Sequence, residues 1–342
     1  MSATQIIAGI IKVLLVFGIQ LSGVAVLVYF ERRVSAFIQS RYGPNRVGPF
    51  GVLQPMADLV KLMFKEELIP ANANRLVFIL SPVMAMAPAF LMMTVIPFGS
   101  FVLVGDEAVK LVVADVGMGV LLVLGLSSLT VYGLTMGGWS SGCKYSLMGG
   151  VRSTTQMISY ELSMGLAVVG VLLLTDGFSL WNMTMDQSQG FFHWYIFRQP
   201  LGFFIFLIAI FAETNRLPFD LPEADSELVS GYHTEYSSMK FAFFFMGEYA
   251  AMMAGSAMIV VLFLGGWHFP GIHHLEGWAL GLASVLVFVV KTFLILLFFI
   301  QVRWTLPRFR YDQLMNLGWK VLLPLGILNV IVTGFLVAVG VL

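Results

Sequence analysis

Apolar residues run almost unbroken for some twenty positions at a time along this chain, and polar residues gather in the gaps between the runs. Stretches long enough to cross a bilayer fall at roughly 5–29, 76–99, 112–135, 156–175, 201–217, 241–264, 279–301 and 321–341. Each approaches the length of about 20 residues that carries an α-helix through a hydrocarbon core of about 30 Å. None shows the strict alternation over about ten residues that a transmembrane β-strand requires. The pattern therefore predicts an all-α integral membrane protein of about eight spans, with residues 1–342 forming a single membrane domain. One stretch has a different period. Between Gly51 and Lys65 the polar residues Gln54, Asp58, Lys61 and Lys65 recur at helical steps, with Val52, Leu53, Met56, Leu59, Val60, Met63 and Phe64 among them. That is an amphipathic helix too short to span, expected to lie at the membrane interface. It serves either as a lateral brace or as one wall of an opening for a lipid-soluble ligand.

Composition sharpens the class. Of 342 residues, 58% are hydrophobic and 11% charged, against about 25% charged in soluble domains. A water-soluble globule of this make-up would expose large apolar patches. A lone cysteine, Cys143, excludes a disulfide framework, a four-cysteine iron–sulfur cluster and a structural zinc site. Zero net charge exerts no overall pull on nucleic acid. The placement of basic residues is more telling, because 15 fall in the odd-numbered loops and two in the even-numbered ones. By the positive-inside rule the odd loops face the cytoplasm, and both termini face the other, periplasmic side. The start of the chain lacks a basic leader region and a small-residue cleavage site, so the first span is expected to be a retained helix.

The side chains narrow the chemistry. His193, His233, His268, His273 and His274 lie in loops or at span ends, where they cannot serve as mid-helix haem ligands. The His268, His273 and His274 group is most simply a solvated loop cluster, so no metal site is expected. No glycine-rich phosphate cradle is present, and any electron carrier belongs to a partner. Two acids sit inside spans, Glu161 in the fourth and Glu248 in the sixth. A carboxylate at membrane depth is costly and faces protein or water, which suits a proton carrier; a hydrogen-bonded structural glutamate is the plainer alternative. Lys12 and Lys291 can snorkel. The fifth loop gathers Glu213, Asp220, Glu223, Asp225, Glu227 and Glu235 against Arg216 and Lys240 alone. A solvated charge run, a set of coupled carboxylates and a docking site for a basic partner are all open to that segment. Arg303 and Arg308 of the seventh loop are placed to neutralise carboxylates of the first or the fifth.

Three long motifs, around residues 31–70, 212–250 and 303–320, resemble a membrane-subunit family of the proton-pumping NADH:quinone oxidoreductases (respiratory complex I), whose mitochondrial member is NADH dehydrogenase subunit 1. The likeness runs in order over nearly the whole chain, with matching spans. More distant likenesses are the membrane subunits of energy-converting hydrogenases and of ferredoxin-dependent plastoquinone reductases. The resemblance implies a subunit at the junction with a peripheral redox arm, forming much of the quinone chamber and starting a proton pathway toward antiporter-like subunits. It places Glu31, Arg32, Arg41 and Asp58 near the quinone passage, joined by Arg216, Arg303 and Arg308. It places Glu161, Glu213, Asp220, Glu223, Asp225, Glu227, Glu235 and Glu248 on the coupling route. Asp225 stands where the family usually carries Glu, a shorter reach for the same charge. Quinone is then the substrate, and FMN and iron–sulfur clusters are expected in partner subunits, with no cofactor held by this chain alone. The implied setting is a bacterial inner membrane, among other complex I subunits and lipid, with no nucleic acid. A stand-alone ion transporter and a purely structural anchor are the competing readings.

Overall fold

The structure, a computed structural model, describes residues 3–104, 107–175, 177–222, 225–272 and 277–340. In chain order it comprises α1 (Ala3–Ile38), α2 (Gln54–Met63), α3 (Arg75–Val95), the strands β1 (Phe101–Val104) and β2 (Glu107–Lys110), α4 (Gly119–Ser140) and α5 (Lys144–Leu172). There follow α6 (Leu180–Asp186), α7 (Tyr195–Arg198), α8 (Pro200–Glu213), α9 (Asp225–Leu228), α10 (Ser238–Phe263), α11 (Gly277–Thr305), α12 (Tyr311–Asn316) and α13 (Leu323–Ala338). A π-helical segment, Leu317–Leu322, joins the last two. Among the described residues, seven helical runs are long and apolar enough to cross a membrane. They are α1, α3, α4, α5, α10, α11 and the continuous run from α12 to α13.

Where the pattern predicts a span over 201–217, the structure has α8, a helix of 14 residues. At about 1.5 Å per residue it covers only about 21 Å. Its end is set by Asn215, whose φ of 50° is left-handed, and by Pro218, which bars the residue before it from helical geometry. The opposite correction applies to α1, which continues to Ile38 and carries Glu31 and Arg32 on a helix rather than in a loop. The amphipathic segment forms α2, with none of its residues buried. The hairpin of β1 and β2, paired antiparallel from Phe101 opposite Lys110 to Val104 opposite Glu107, has no counterpart in the expected spans.

The bundle packs around α10, whose residues from Ala254 to Phe263 are all buried. Close crossings depend on small residues, as in other membrane bundles. At Gly133 a Cβ would stand 2.4 Å from the backbone nitrogen of Ala85, so α3 and α4 touch backbone to backbone. Pro82 inside α3 has no N–H for the carbonyl of Phe78. Tyr236 fills that gap: its hydroxyl donates to Phe78 O at 3.2 Å, and its ring stacks on Phe78 at 4.0 Å. A buried amide fastens the last helix. Gln199 Nε2 donates to Gly170 O and to Thr333 Oγ1, each at 2.7 Å, while its Oε1 accepts from Asn329 Nδ2 at 3.2 Å.

Candidate functional site

At one end of the bundle, residues far apart in sequence meet in a buried ionic cluster. Glu31 arrives on the extension of α1, Arg216 on the turn after α8, Glu248 and Tyr249 on α10, and Arg303 in the last turn of α11. Arg216 Nη1 donates to both oxygens of Glu31, at 3.0 and 3.2 Å, and its Nε lies 2.5 Å from Glu248 Oε1. Arg303 also pairs with Glu31. The Tyr249 hydroxyl donates to Glu31 Oε2 at 2.7 Å, and the Arg216 guanidinium lies over the Tyr249 ring at 4.3 Å. Beside them Arg308 Nη2 binds Asp220 Oδ2 at 2.7 Å. The side chains of Glu31 and Arg216 are only 8% and 9% exposed. Charges this far from water persist only when paired and hydrogen-bonded, and here Glu31, Glu248 and Asp220 face Arg216, Arg303 and Arg308, one carboxylate for each guanidinium.

The cluster lines a cavity of about 330 Å³, within the range of about 300–1,000 Å³ typical of ligand sites. Arg32, Arg41, Ser35 and Trp304 also line it, and Trp304 Nε1 donates to Ser35 Oγ at 2.7 Å. Two smaller cavities, each about 40 Å³, continue into the bundle. Glu248 and Asn215 line both the first and the second. Glu213, Thr214 and Thr130 line both the second and the third. A water molecule needs roughly 10–15 Å³ of such space, so each small cavity has room for a few. Glu213 is buried at the junction, and neither of its carboxylate oxygens has a hydrogen-bond partner among the described residues.

The remaining candidates are distributed differently. Arg32 Nη1 binds Asp58 Oδ2 at 2.6 Å, tying α1 to α2 at the surface, and Gln54 Nε2 supports Asp58 at 3.0 Å. Arg41 is exposed and donates to Gln39 Oε1 at 2.6 Å. Glu161 accepts from the Ser128 hydroxyl and lines none of the three cavities described. Among the described residues, the acids of the fifth loop are not gathered into one cluster. Asp220 is consumed by Arg308, Glu227 forms a surface pair with Arg152 at 2.6 Å, and Glu235 is half-buried. Asp225 opens α9, and Glu223 lies outside the described residues, as do His273 and His274. Among the described residues no three His, Cys, Asp or Glu side chains group as a metal site. Sequence reasoning missed Tyr249, Ser128 and Trp304. A hydroxyl-bearing ring directly after Glu248 was the one available sign of the first.

Fold and site together define a multi-pass membrane protein in which buried ion pairs line a cavity, with two smaller cavities beyond it that share its wall residues and reach a buried carboxyl. The pattern of the NADH dehydrogenase family matches residues 11–334, and the chain belongs to that family. It is 48% identical over 348 residues to an H-type NADH-quinone oxidoreductase subunit of Koribacter versatilis, with 98% of each chain covered. It is 49% identical over 337 residues to NADH-quinone oxidoreductase subunit 8 of Rhodothermus marinus, covering 96% of this chain and 95% of that one. With an H-type subunit of the same enzyme from Geobacter metallireducens it shares 49% over 334 residues, 98% of each.

Proposed function

We propose that this chain is the membrane subunit of an NADH:quinone oxidoreductase in which much of the quinone chamber lies, and that it couples quinone reduction to proton translocation. The observation that carries the reading is the succession of three neighbouring cavities that share wall residues, with Glu248 common to the first two and Glu213 to the last two. A quinone needs apolar surroundings for its tail and a polar end where the headgroup takes up two electrons and two protons. The exposed apolar side chains of α2, among them Met56, Val60 and Met63, suit an entrance from lipid, and the arginine-lined cavity suits the headgroup. The electrons come from an iron–sulfur cluster in a partner subunit, supplied in turn through FMN.

The chain's own part is electrostatic. Negative charge arriving beside Arg216 and Arg303 competes with Glu31 and Glu248 for the same guanidiniums. Two unit charges 4 Å apart interact by about 4 kcal/mol at an effective dielectric of about 20, which is roughly a thousandfold in a protonation equilibrium. Glu248 released from Arg216 takes up a proton, and Glu213, on the far side of the second cavity, is the next acceptor inward. Glu161, held by Ser128, lies on the neighbouring helix α5 as a further carboxyl on the route. Asp220, Glu223, Asp225, Glu227 and Glu235 set the field at the entrance. In this reading the entrance faces the cytoplasm, the side the positive-inside rule favours for the basic odd loops, with both termini periplasmic and the membrane a bacterial inner membrane. The partners are the peripheral quinone-site and iron–sulfur subunits and the small and antiporter-like membrane subunits.

The test is Glu213→Gln in the assembled complex, reconstituted in vesicles. Quinone reduction is expected to persist while protons moved per electron fall. A normal ratio at a normal rate refutes the role given to Glu213, and the same measurement on Glu161→Gln decides the role of Glu161.

A further inference from the structure

We infer that Gln156, a fully buried amide of α5, is a positioning residue that sets the spacing of Glu213, Arg216 and Asp220. Its Nε2 lies 2.9 Å from Ala212 O, 3.1 Å from Asn215 Oδ1 and 2.8 Å from Phe219 O. These three acceptors belong to the residues immediately before Glu213, Arg216 and Asp220. One side chain thus grips the segment from the end of α8 to the cluster at three points, each a single peptide unit away from an ionic residue.

The local backbone needs such a grip. Asn215 has a φ of 50°, in the left-handed region that an asparagine adopts more readily than most L-residues when its side chain is hydrogen-bonded. The segment between Glu213 and Asp220 belongs to no long helix that could hold it. Gln156 does not act alone: Asn215 Nδ2 reaches Ser153 Oγ at 3.5 Å and Met157 Sδ at 3.7 Å, on the same face of α5. One turn further along, the Tyr160 ring meets Phe219 edge-on at 5.5 Å, and its hydroxyl is fixed on Leu314 O at 2.9 Å.

The chemistry explains why the residue is an amide. Its two N–H groups serve three acceptors, so one hydrogen is shared, and it adds no charge next to a balanced set of ion pairs. Methionine would fill the same space and remove the donor that links the three points, leaving Ala212 O and Phe219 O with only the local backbone N–H groups of Asn215 and Leu221, at 3.3 and 3.0 Å. Glutamate would match the shape and turn acceptors toward acceptors.

This inference rests on the reading of the Arg216 cluster as the quinone end of the chain, so the experiment includes Arg216→Lys. The assembled complex is compared in membranes as wild type, Gln156→Met, Gln156→Glu and Arg216→Lys. NADH oxidation by ferricyanide, which bypasses quinone, reports the assembled redox arm, and a short-chain quinone reports the site. Gln156→Met is expected to raise KM for the quinone about tenfold, as the loss of the hydrogen bonds that hold the segment implies, with kcat changed less and the ferricyanide rate unmoved. Gln156→Glu is expected to be worse than methionine. A residue that only fills space predicts a wild-type KM for both, and that result overturns the inference. If Gln156→Met does not assemble, Asn215→Gly carries the test: it removes one acceptor and loosens the turn, and is expected to raise KM about threefold. An unchanged KM there overturns the inference as well. A wild-type KM in Arg216→Lys sinks the site reading instead. A raised KM in Arg216→Lys beside unchanged glutamine variants sinks the positioning role alone.

Discussion

Glu31 and Arg216 lie 185 positions apart in sequence, yet Arg216 Nη1 reaches both oxygens of the carboxylate, at 3.0 and 3.2 Å. The contact exists because α1 continues past its apolar run and delivers Glu31 to the level at which the short helix α8 ends. It ties the first and middle thirds of the chain together, and Arg303 brings in the last third through the same carboxylate.

Removing that carboxylate takes a counter-charge from Arg216 and Arg303 at once. Breaking one partner of a buried pair costs about 3–5 kcal/mol, so Glu31→Gln is expected to lower the thermal denaturation temperature of the complex and to abolish most quinone reduction. Asp58→Asn is the contrast. Its pair with Arg32 is 34% and 47% exposed, and such pairs contribute about 0–1 kcal/mol, so stability should be almost unchanged. Equal losses in the two variants, read by thermal melting, would contradict the distinction drawn between buried and surface pairs.

The hydroxyl of Tyr236 repairs the gap that Pro82 leaves in α3. Burial raises the pKa of Tyr236 above the ordinary phenol value, so the hydroxyl stays protonated and available as a donor. Tyr236→Phe keeps the ring stack but strands the Phe78 carbonyl, at a cost of about 1–3 kcal/mol. Pro82→Ala restores the missing N–H to the helix, so the double variant should lose less than Tyr236→Phe alone. Strictly additive effects across this cycle, measured by urea or heat denaturation, would mean the two residues act independently.

Much of this architecture is legible in the chain. The apolar runs at 241–264 and 279–301 lie on α10 and α11, and those at 76–99 and 112–135 overlap α3 and α4, the latter helix beginning only at Gly119, because a stretch of that length and polarity has few other stable arrangements in lipid. The fifth run reaches 217 only across the polar stretch 213–216, whereas the helix ends at Glu213 and the backbone turns at Asn215. Within the site, the acids and arginines stand out one by one, but their partners do not. Arg303 takes Glu31 where α1 and α11 meet, and Arg308 takes Asp220 where the segment after α11 bonds the turn after α8, Phe309 N donating to Pro218 O at 3.1 Å. Tyr249 and Gln156 escape notice for a simpler reason: a tyrosine and a neutral amide inside apolar helices carry no charge to draw attention.

The amide of Gln199 joins three helices at a depth where water offers no substitute. Gln199→Leu leaves Gly170 O and the Asn329 amide without a partner inside the bundle, at a cost of about 1–3 kcal/mol for each stranded group. The expected result is an α13 released from α5, seen as faster proteolysis after residue 322 in the purified complex, with Arg216 and its neighbours undisturbed. Proteolysis at the wild-type rate would show that apolar packing alone holds the last helix.

Two glycines on α4 should respond in opposite directions to the same change. At Gly133 an added Cβ would meet backbone atoms of α3, 2.4 Å from Ala85 N and 2.7 Å from its Cα. Backbone cannot rotate away as a flexible side chain can, so the two helices must separate, and overpacking of this kind costs about 1–3 kcal/mol or more. Gly125, two turns earlier on the same helix, has nothing within 4 Å of its would-be Cβ. There alanine removes the conformational penalty of glycine in a helix, about 1 kcal/mol. Gly133→Ala is therefore expected to reduce the amount of assembled subunit in the membrane, while Gly125→Ala leaves it level or raises it. Quantifying both on one immunoblot, with heat denaturation of what assembles, checks the backbone contact between α3 and α4, because a looser crossing would let the two variants behave alike.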